Sequence, residues 1–315
     1  MEAASGKCNG QTINQKRMKT IILVAGATGD LGGRIVKSLI EKGADVRALV
    51  RSGTDHEKVE KLKQLGATVF EADMNQIADL ETACENVSCV ISALQGLHDV
   101  IVDMQSLILR AAVNAGVPRF IPSDFSTDYT QLLPGDNRNF DLRRTFFEHI
   151  DQSPIAATTI FNGGFAELLN YNLPFLDFKN KSVGYFEDPD WRIDFTTKDN
   201  TAEFTAAAAL DSTTPRILRI ASFQISAKEM QAVANEITKE DFKLIRLGSR
   251  EELAARNKQD RAANPEGENE VYPRWQQAQY LYGMFSAQNR TTDNDRYPEI
   301  KWTNAEELLS AHRKS

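Results

Sequence analysis

Thr20–Gly33 reads TIILVAGATGDLGG. The apolar run from Ile21 to Ala25 has the length of a buried β-strand, and it breaks at Gly26. Gly29, Gly32 and Gly33 follow; Arg34–Lys42 then spaces Ile35, Val36, Leu39 and Ile40 as a helix would. Strand, glycine turn and helix in that order are the context of a phosphate-binding loop. Glycine lets backbone approach a pyrophosphate, and the helix start offers unpaired N–H groups and partial positive charge. The spacing, G-x-x-G-x-x-G over Gly26, Gly29 and Gly32, differs from G-x-G-x-x-G. A tight turn with no ligand would use the same glycines. Gly26, Thr28, Gly29, Asp30, Leu31 and Gly32 form the expected pyrophosphate contact.

Outward from this turn, strands and helices alternate. Strands are expected at Asp45–Val50, Ala67–Phe70, Val87–Ala93, ending at Phe120–Pro122, and at Ala156–Phe161. Helices are expected at Val59–Leu65, Ile77–Cys84, His98–Ala115 (closed by Gly116) and Asn139–Asp151. The implied fold class is α/β, a Rossmann-type doubly wound parallel sheet with a smaller, mainly helical C-terminal substrate-binding part. The expected division is a mobile tail at 1–18, a dinucleotide-binding domain at 19–161 and a substrate-binding part at 162–315. Within the last, 194–222 is expected to return to the sheet. Further expectations there are a helix at 163–172, short strands at Lys181–Phe186 and Arg192–Phe195 around the turn at Asp188–Pro189, and an alanine-rich helix at Lys198–Leu210. Strands follow at Ile217–Ile220 and Phe242–Arg246, a mobile loop or solvated helix end at Lys258–Asn269, and a last helix at Trp302–Ala311.

The 315 residues, 41% hydrophobic and 26% charged, suit a globular protein with a substantial core. A net charge of -7 with no basic block argues against general nucleic-acid binding. No apolar run reaches the ~18 residues of a membrane span. Residues 1–17 lack the apolar centre of a signal peptide, so a cytoplasmic location is expected. Cys8, Cys84 and Cys89 have no metal-ligand spacing, and no metal site is expected.

The end of the second strand meets the adenosine ribose in such folds, an acid there selecting NAD and an arginine NADP. Here it reads ALVRSG: Arg51 and Ser52 stand where the acid would, and the nearby Asp45 begins the strand. A guanidinium offers bidentate donors to a 2′-phosphate, so NADP(H) is the expected cofactor. Asp73 either accepts from the adenine amino group or caps the helix starting near Gln76. Ser92, Ala93, Leu94 and Gln95, before Gly96, would pass beside the cofactor.

GATGDLGG, VISALQG and the run Gln105–Phe125, ending in IPSDF, resemble the NmrA-like, isoflavone-reductase-like branch of the atypical short-chain dehydrogenases. IPSDF is similar to that family's PSEF, with Asp124 in place of Glu, and FNGGFA (Phe161–Ala166) to its asparagine-glycine-phenylalanine segment. The resemblance implies NADPH binding, with Pro122, Ser123, Asp124, Phe161, Asn162 and Gly163 at the nicotinamide end. It also implies a substrate cleft touching Phe125, Gly164 and Phe165. Some members reduce aromatic substrates, while others bind NADP as redox-responsive regulators.

The reductase members place a lysine in the helix after PSEF, and Arg143 stands there in this sequence. No lysine occurs between Lys63 and Lys179. Arginine keeps its proton and is no general base, but it can bind an anion or stabilise a developing oxyanion. The alternative is a surface Arg143 pairing Asp141 or Glu148. The Tyr-x-x-x-Lys pair of typical short-chain dehydrogenases is missing at the expected place; Tyr297 and Lys301 match it by coincidence. Arg143, Ser123 and Tyr129 are the catalytic candidates, Tyr129 as a phenolic proton donor. Asp128 lies nearby, and His149 shares the helix of Arg143. Tyr272, Trp275, Tyr280, Tyr282 and Phe285 form either a substrate wall or ordinary core.

Two functions follow. One is an NADPH-dependent reductase of a small aromatic or carbonyl compound; the other is a non-catalytic NADP(H) sensor acting on a protein partner. The missing lysine favours the sensor, the pocket segments the reductase, and the reductase is preferred.

Overall fold

The computed structural model describes residues 20–171 and 173–312. The expected N-terminal tail and Cys8 lie outside the described residues.

The chain opens with β1 (Ile21–Ala25), α1 (Asp30–Glu41), β2 (Asp45–Arg51), α2 (His56–Leu65), β3 (Thr68–Ala72), α3 (Ile77–Cys84) and β4 (Val87–Ser92). A π-helical turn, Asp99–Met104, leads into α4 (Gln105–Asn114), so the expected long helix starts irregularly. Next come β5 (Arg119–Ile121), α5 (Arg138–Asp151), β6 (Ala156–Ala157) and β7 (Thr159–Phe161). The strands pair in parallel in the order β3-β2-β1-β4-β5-β6. The order reverses beside β1, which opens a crevice at the carboxyl ends of β1 and β4. The expected sixth strand is interrupted at Thr158, whose N–H still reaches the Phe120 carbonyl at 3.0 Å.

The remaining elements are β8 (Gly164–Phe165), β9 (Ser182–Phe186), β10 (Arg192–Thr196), α6 (Lys198–Leu210), β11 (Ile217–Arg219), β12 (Phe223–Ser226), α7 (Ala227–Thr238), β13 (Lys243–Gly248), α8 (Arg250–Ala263), α9 (Arg274–Met284) and α10 (Ala305–His312). The expected helix at 163–172 is instead β8 followed by a 3-10 turn, Ala166–Asn170. The two strands flanking Asp188–Pro189 do not pair with each other. β9 runs parallel to β13, while β10 lies between β12 and β8. Lys258–Asn269 is the end of α8 plus a 3-10 turn, Pro265–Asn269, held where the Glu268 carboxylate accepts from Arg261 Nε at 2.5 Å. That ion pair, invisible in a run of charges, is why the segment is no open loop.

The expected return of residues 194–222 to the main sheet is not found: β10 and β11 lie in separate small sheets, β12-β10-β8 and β11-β7. β11 lies parallel to β7, pairing Ile217 with Thr159. α6 packs against α1 through small side chains: Ala202, Ala206 and Ala208 are fully buried, with Phe204 between them. Arg119, 8% exposed, donates to the Ala208 and Ala209 carbonyls at 2.9 and 3.0 Å, bonding the end of α6 to β5. One apolar core lies between the sheet and α1 and α6, and a second under α3, α4 and α5. A third fills the C-terminal part around β9, β10, α7 and α10. A small aromatic cluster of Tyr129, Phe140 and Phe161 joins α5 to β7. Among the described residues no helix is long and apolar enough to cross a membrane.

Candidate active site

The glycine turn is built by contact. Gly26 has φ +82°, and a Cβ there would stand 2.5 Å from the Ala93 carbonyl oxygen at the end of β4. A Cβ on Gly32 would overlap the Gly26 carbonyl, so α1 can begin this close to β1 only with glycine. Gly29 is the N-cap of α1, in extended conformation and with no side chain bonded over the helix start. The first N–H groups, at Asp30, Leu31 and Gly32, are those an α-helix leaves without intrahelical partners. Thr28 and Gly29 are exposed beside them. The Asp30 carboxylate is turned aside, 2.8 Å from Arg34 Nε and 2.6 Å from Lys198 Nζ. Hydrogen bonds from Lys198 and Arg34 hold its carboxyl below the usual range. Lys198 was not legible as a neighbour of this turn, because 168 residues separate it from Asp30.

At the end of β2, Arg51 is exposed and has no ion pair among the described residues. Ser52 is exposed next to it and donates its N–H to the Ala72 carbonyl at 3.2 Å. Asp73 does not cap α3. Its carboxylate accepts the Asn75 N–H at 3.0 Å, and Gln76 holds the N-cap position without a side-chain bond. The tight turn after β3 brings Asn75 to Asp73 before the helix starts.

Beyond β4, Ser92 is fully buried, with a hydroxyl that has no partner. Ala93 and Leu94 are half-buried and Gln95 is exposed. A Cβ on Gly96 would meet the Val100 side chain at 2.5 Å, so this glycine serves the π-helical turn. Ser123 joins the ends of β4 and β5: its hydroxyl donates to the Leu94 carbonyl at 2.7 Å, and its N–H to Gln105 Oε1 at 3.1 Å. Pro122 is buried beside it. Asp124 is 1% exposed; its Oδ2 accepts from the Thr159 hydroxyl at 2.9 Å, while its Oδ1 has no partner. Burial raises its carboxyl above the usual range, and the nearby Arg143 charge is the strongest opposing influence.

Arg143 is half-buried on α5 and pairs neither Asp141 nor Glu148. One guanidinium nitrogen donates to the Asn139 carbonyl at 3.3 Å, and Nε is buried without a partner. Asp141 accepts the Gly135 N–H instead, at 3.0 Å. His149 is exposed on the same helix, 3.2 Å from the Ser106 hydroxyl, and belongs to no constellation. Asp128 is buried in an ion pair with Arg219 at 2.8 Å. Tyr297 bonds Asp211 at 2.9 Å, apart from the crevice.

Several expected contacts are differently placed. Tyr129 is fully buried, its ring 5.0 Å from that of Phe161 and 5.9 Å from that of Phe140. Burial pushes its phenol well above the usual range, so it is no exposed proton donor. The Phe161 side chain is core, as is that of Phe125 at 7% exposed. Asn162 is fully buried; its backbone N–H reaches the Ser126 carbonyl at 3.0 Å, and its side-chain oxygen has no partner. Gly163 has φ +65°, and a Cβ there would collide with the Asp194 backbone, so its missing side chain admits β10 and not a nicotinamide. A Cβ on Gly164 would meet Met284 at 2.9 Å; Phe165 is half-buried against the core under α1. The five C-terminal aromatics form no single wall. Trp275 has the Arg138 and Arg261 guanidiniums 4.7 and 5.0 Å from its ring centre, while Phe285 packs on Phe186. Tyr280 packs on Phe140 and Tyr272, and Tyr282 joins the third core. Among the described residues no group of His, Cys, Asp and Glu could hold a metal ion.

The sequence pattern of the NmrA-like family matches residues 18–241. The chain belongs to the NmrA-like family. This NmrA-like chain is 32% identical over 211 residues to pinoresinol reductase 2 of Arabidopsis thaliana, a match covering 62% of this chain and 66% of that relative. It is 27% identical over 304 residues to bifunctional pinoresinol-lariciresinol reductase 1 of Linum usitatissimum, covering 91% and 97%. Its fold matches that of a structure described as AtPrR2 with NADP+ and (+)pinoresinol, with a TM-score of 0.78 at 24% identity over 93% and 99% of the two chains. It also matches a leucoanthocyanidin reductase–NADPH complex from Vitis vinifera, with a TM-score of 0.76 at 18% identity over 94% and 100%. At these identities the two structures establish the Rossmann-type fold.

Proposed function

We propose that this NmrA-like protein is an NADPH-dependent reductase of a small aromatic or carbonyl compound. The observation that carries the reading is the crevice at β1 and β4, where an uncapped α1 start and the free Arg51 suit a phosphorylated dinucleotide. The relatives matched along nearly their whole length, named as reductases, support it. The residues would divide the cofactor as follows. Gly26, Thr28, Gly29, Asp30, Leu31 and Gly32 would hold the pyrophosphate, chiefly through backbone N–H groups. Arg51 and Ser52 would take the 2′-phosphate, with Asp73 toward the adenine. Ser92, Ala93, Leu94, Gln95, Pro122, Ser123 and Asp124 would line the nicotinamide side, and the Asn162–Gly163 backbone would support it.

NADPH supplies a hydride when bound there. A guanidinium is no general base, so the role of Arg143 is to fix an anionic oxygen or to stabilise one that develops as the substrate is reduced. Ser123, its proton committed to Leu94, offers its hydroxyl oxygen as an acceptor for the cofactor amide. The division into a cofactor domain at 19–161 and a substrate part at 162–315 belongs to the same proposal, with 194–222 contributing to both.

The test is fluorescence titration with NADPH and NADH, followed by NADPH oxidation over pinoresinol, isoflavones and aromatic ketones and aldehydes. Turnover of a panel member, lost in Arg143→Ala, supports the reductase. Tight NADPH binding with no turnover across the panel replaces it with the NADP(H) sensor acting on a protein partner. Absence of dinucleotide binding overturns both.

A further inference from the structure

Two helices begin side by side at the glycine turn. α1 opens at Asp30 and α6 at Lys198, and the two pack on each other. Their first turns are finished differently. At α6 the Lys198 N–H donates to Glu167 Oε1 at 2.9 Å, and the Asn200 N–H donates to the Thr197 hydroxyl at 3.1 Å. The start of α6 is thus closed by its own chain. Gly29 gives α1 no such cap, so the first N–H groups of α1 stay open to an anion.

An acid in that first turn is drawn to the same place. Negative charge is favoured at a helix N-terminus, and a carboxylate there can accept from the free N–H groups. Asp30 is therefore a built-in competitor for the seat of a pyrophosphate, and its charge would also repel one. Two cations hold it off. Arg34 Nε meets Asp30 Oδ1 at 2.8 Å and Lys198 Nζ meets Oδ2 at 2.6 Å, so each carboxylate oxygen has its own partner. These bonds are to side chains and not to the backbone of α1. Arg34 divides its charge, because Asp199 on α6 also accepts from it. Lys198 pairs with Asp30 alone among the described residues, and its backbone is anchored by Glu167. An exposed pair of this kind adds little to folding stability, so its consequence falls on the open helix start.

Resting on the cofactor part of the reductase reading, we propose that Lys198 is a positioning residue for dinucleotide binding. It keeps the Asp30 carboxylate clear of the α1 N–H groups and neutralises it beside the pyrophosphate. Lys198 acts through Asp30 and makes no contact with the cofactor. The cofactor site then draws on α6, far along the chain from the glycine turn.

The test is a double-mutant cycle read by fluorescence titration with NADPH and NADH. Lys198→Met keeps the reach of the side chain and removes its charge. It is expected to weaken both dinucleotides about 5-fold or more and by the same factor, because both carry the pyrophosphate. In the Asp30→Ala background the same change should alter either affinity by less than about twofold. Lys198→Arg, which keeps the cation, should hold affinity within about twofold of wild type. Equal losses from Lys198→Met in both backgrounds mean a direct contact or a packing role, and overturn the positioning. A loss confined to NADPH puts Lys198 at the 2′-phosphate and overturns it as well. So does a loss in Lys198→Arg as large as that in Lys198→Met. Each of these results leaves the cofactor reading intact. A wild type that binds neither dinucleotide overturns that reading and this proposal together.

Discussion

Arg51 and Tyr129 show what a single residue reveals before its surroundings are known. Arg51 ends a strand whose boundary is set by local pattern, so its place at the carboxyl end of β2 could be read directly. It emerges exposed and without an ion pair among the described residues. A charge-assisted bidentate contact to a 2′-phosphate is worth about 1.5–3 kcal/mol, or roughly 10- to 100-fold in affinity. Arg51→Ala should therefore weaken NADPH binding by about that factor while NADH binding stays within about twofold, as read by fluorescence titration. Equal weakening of both would place the 2′-phosphate elsewhere. Tyr129 was singled out for its chemistry and lies in the right neighbourhood, but its burial depends on Phe140, Phe147 and Phe161. Those rings arrive from α5 and β7, and no local pattern announces their convergence. Lys198 escaped sequence reading for the same reason, since it reaches its partner across the fold.

At the scale of elements, the first half was legible because its strands and helices carry their own periodicity, and some are ended by a glycine. Gly116, with φ +72°, closes α4 as the sequence implies, and Gly66, with φ +100°, is found capping α2. In the C-terminal part the pairing partner decides. β8 has two residues, and β9 is fixed by β13, so hydrophobic spacing could suggest strands there without saying which would meet. Side-chain clamps complete such elements. Asp211, just past α6, accepts from Thr213 Oγ1 at 2.7 Å, Arg296 Nη2 at 2.7 Å and Tyr297 OH at 2.9 Å. Burial alone would raise its carboxyl, but these bonds outweigh burial and hold it well below the ordinary value. The folded state then binds fewer protons than the unfolded chain, so this clamp contributes fully above about pH 5 and weakens as pH falls below about 4. Asp211→Asn should lower the melting temperature at pH 7 by about 2–4 °C. The gap to wild type should narrow on acidification toward pH 3. A gap constant with pH would mean that packing, and not the charge, supplies the stabilisation.

For the whole molecule, the joint between the two parts matters most. Arg119 sits on β5 but spends its donors on the last carbonyls of α6 and on Thr214. Removing it leaves buried carbonyls unpaired, at a cost of about 3 kcal/mol. Arg119→Ala should shift the urea midpoint downward by an amount matching that loss, with an unchanged slope if unfolding stays a single transition. Two separate transitions would mean that the parts unfold independently. The position of α6 and β11 has a temporal consequence. The core under α1 lacks its α6 cover, and β7 lacks its parallel partner β11, until residues up to 219 have been made. A nascent chain that has delivered every residue proposed to contact the cofactor, up to Gly163, is still an unfinished fold with an apolar flank. Some fifty more residues must then be made before α6 and β11 can cover that surface, an interval in which exposed apolar chain is open to misassociation.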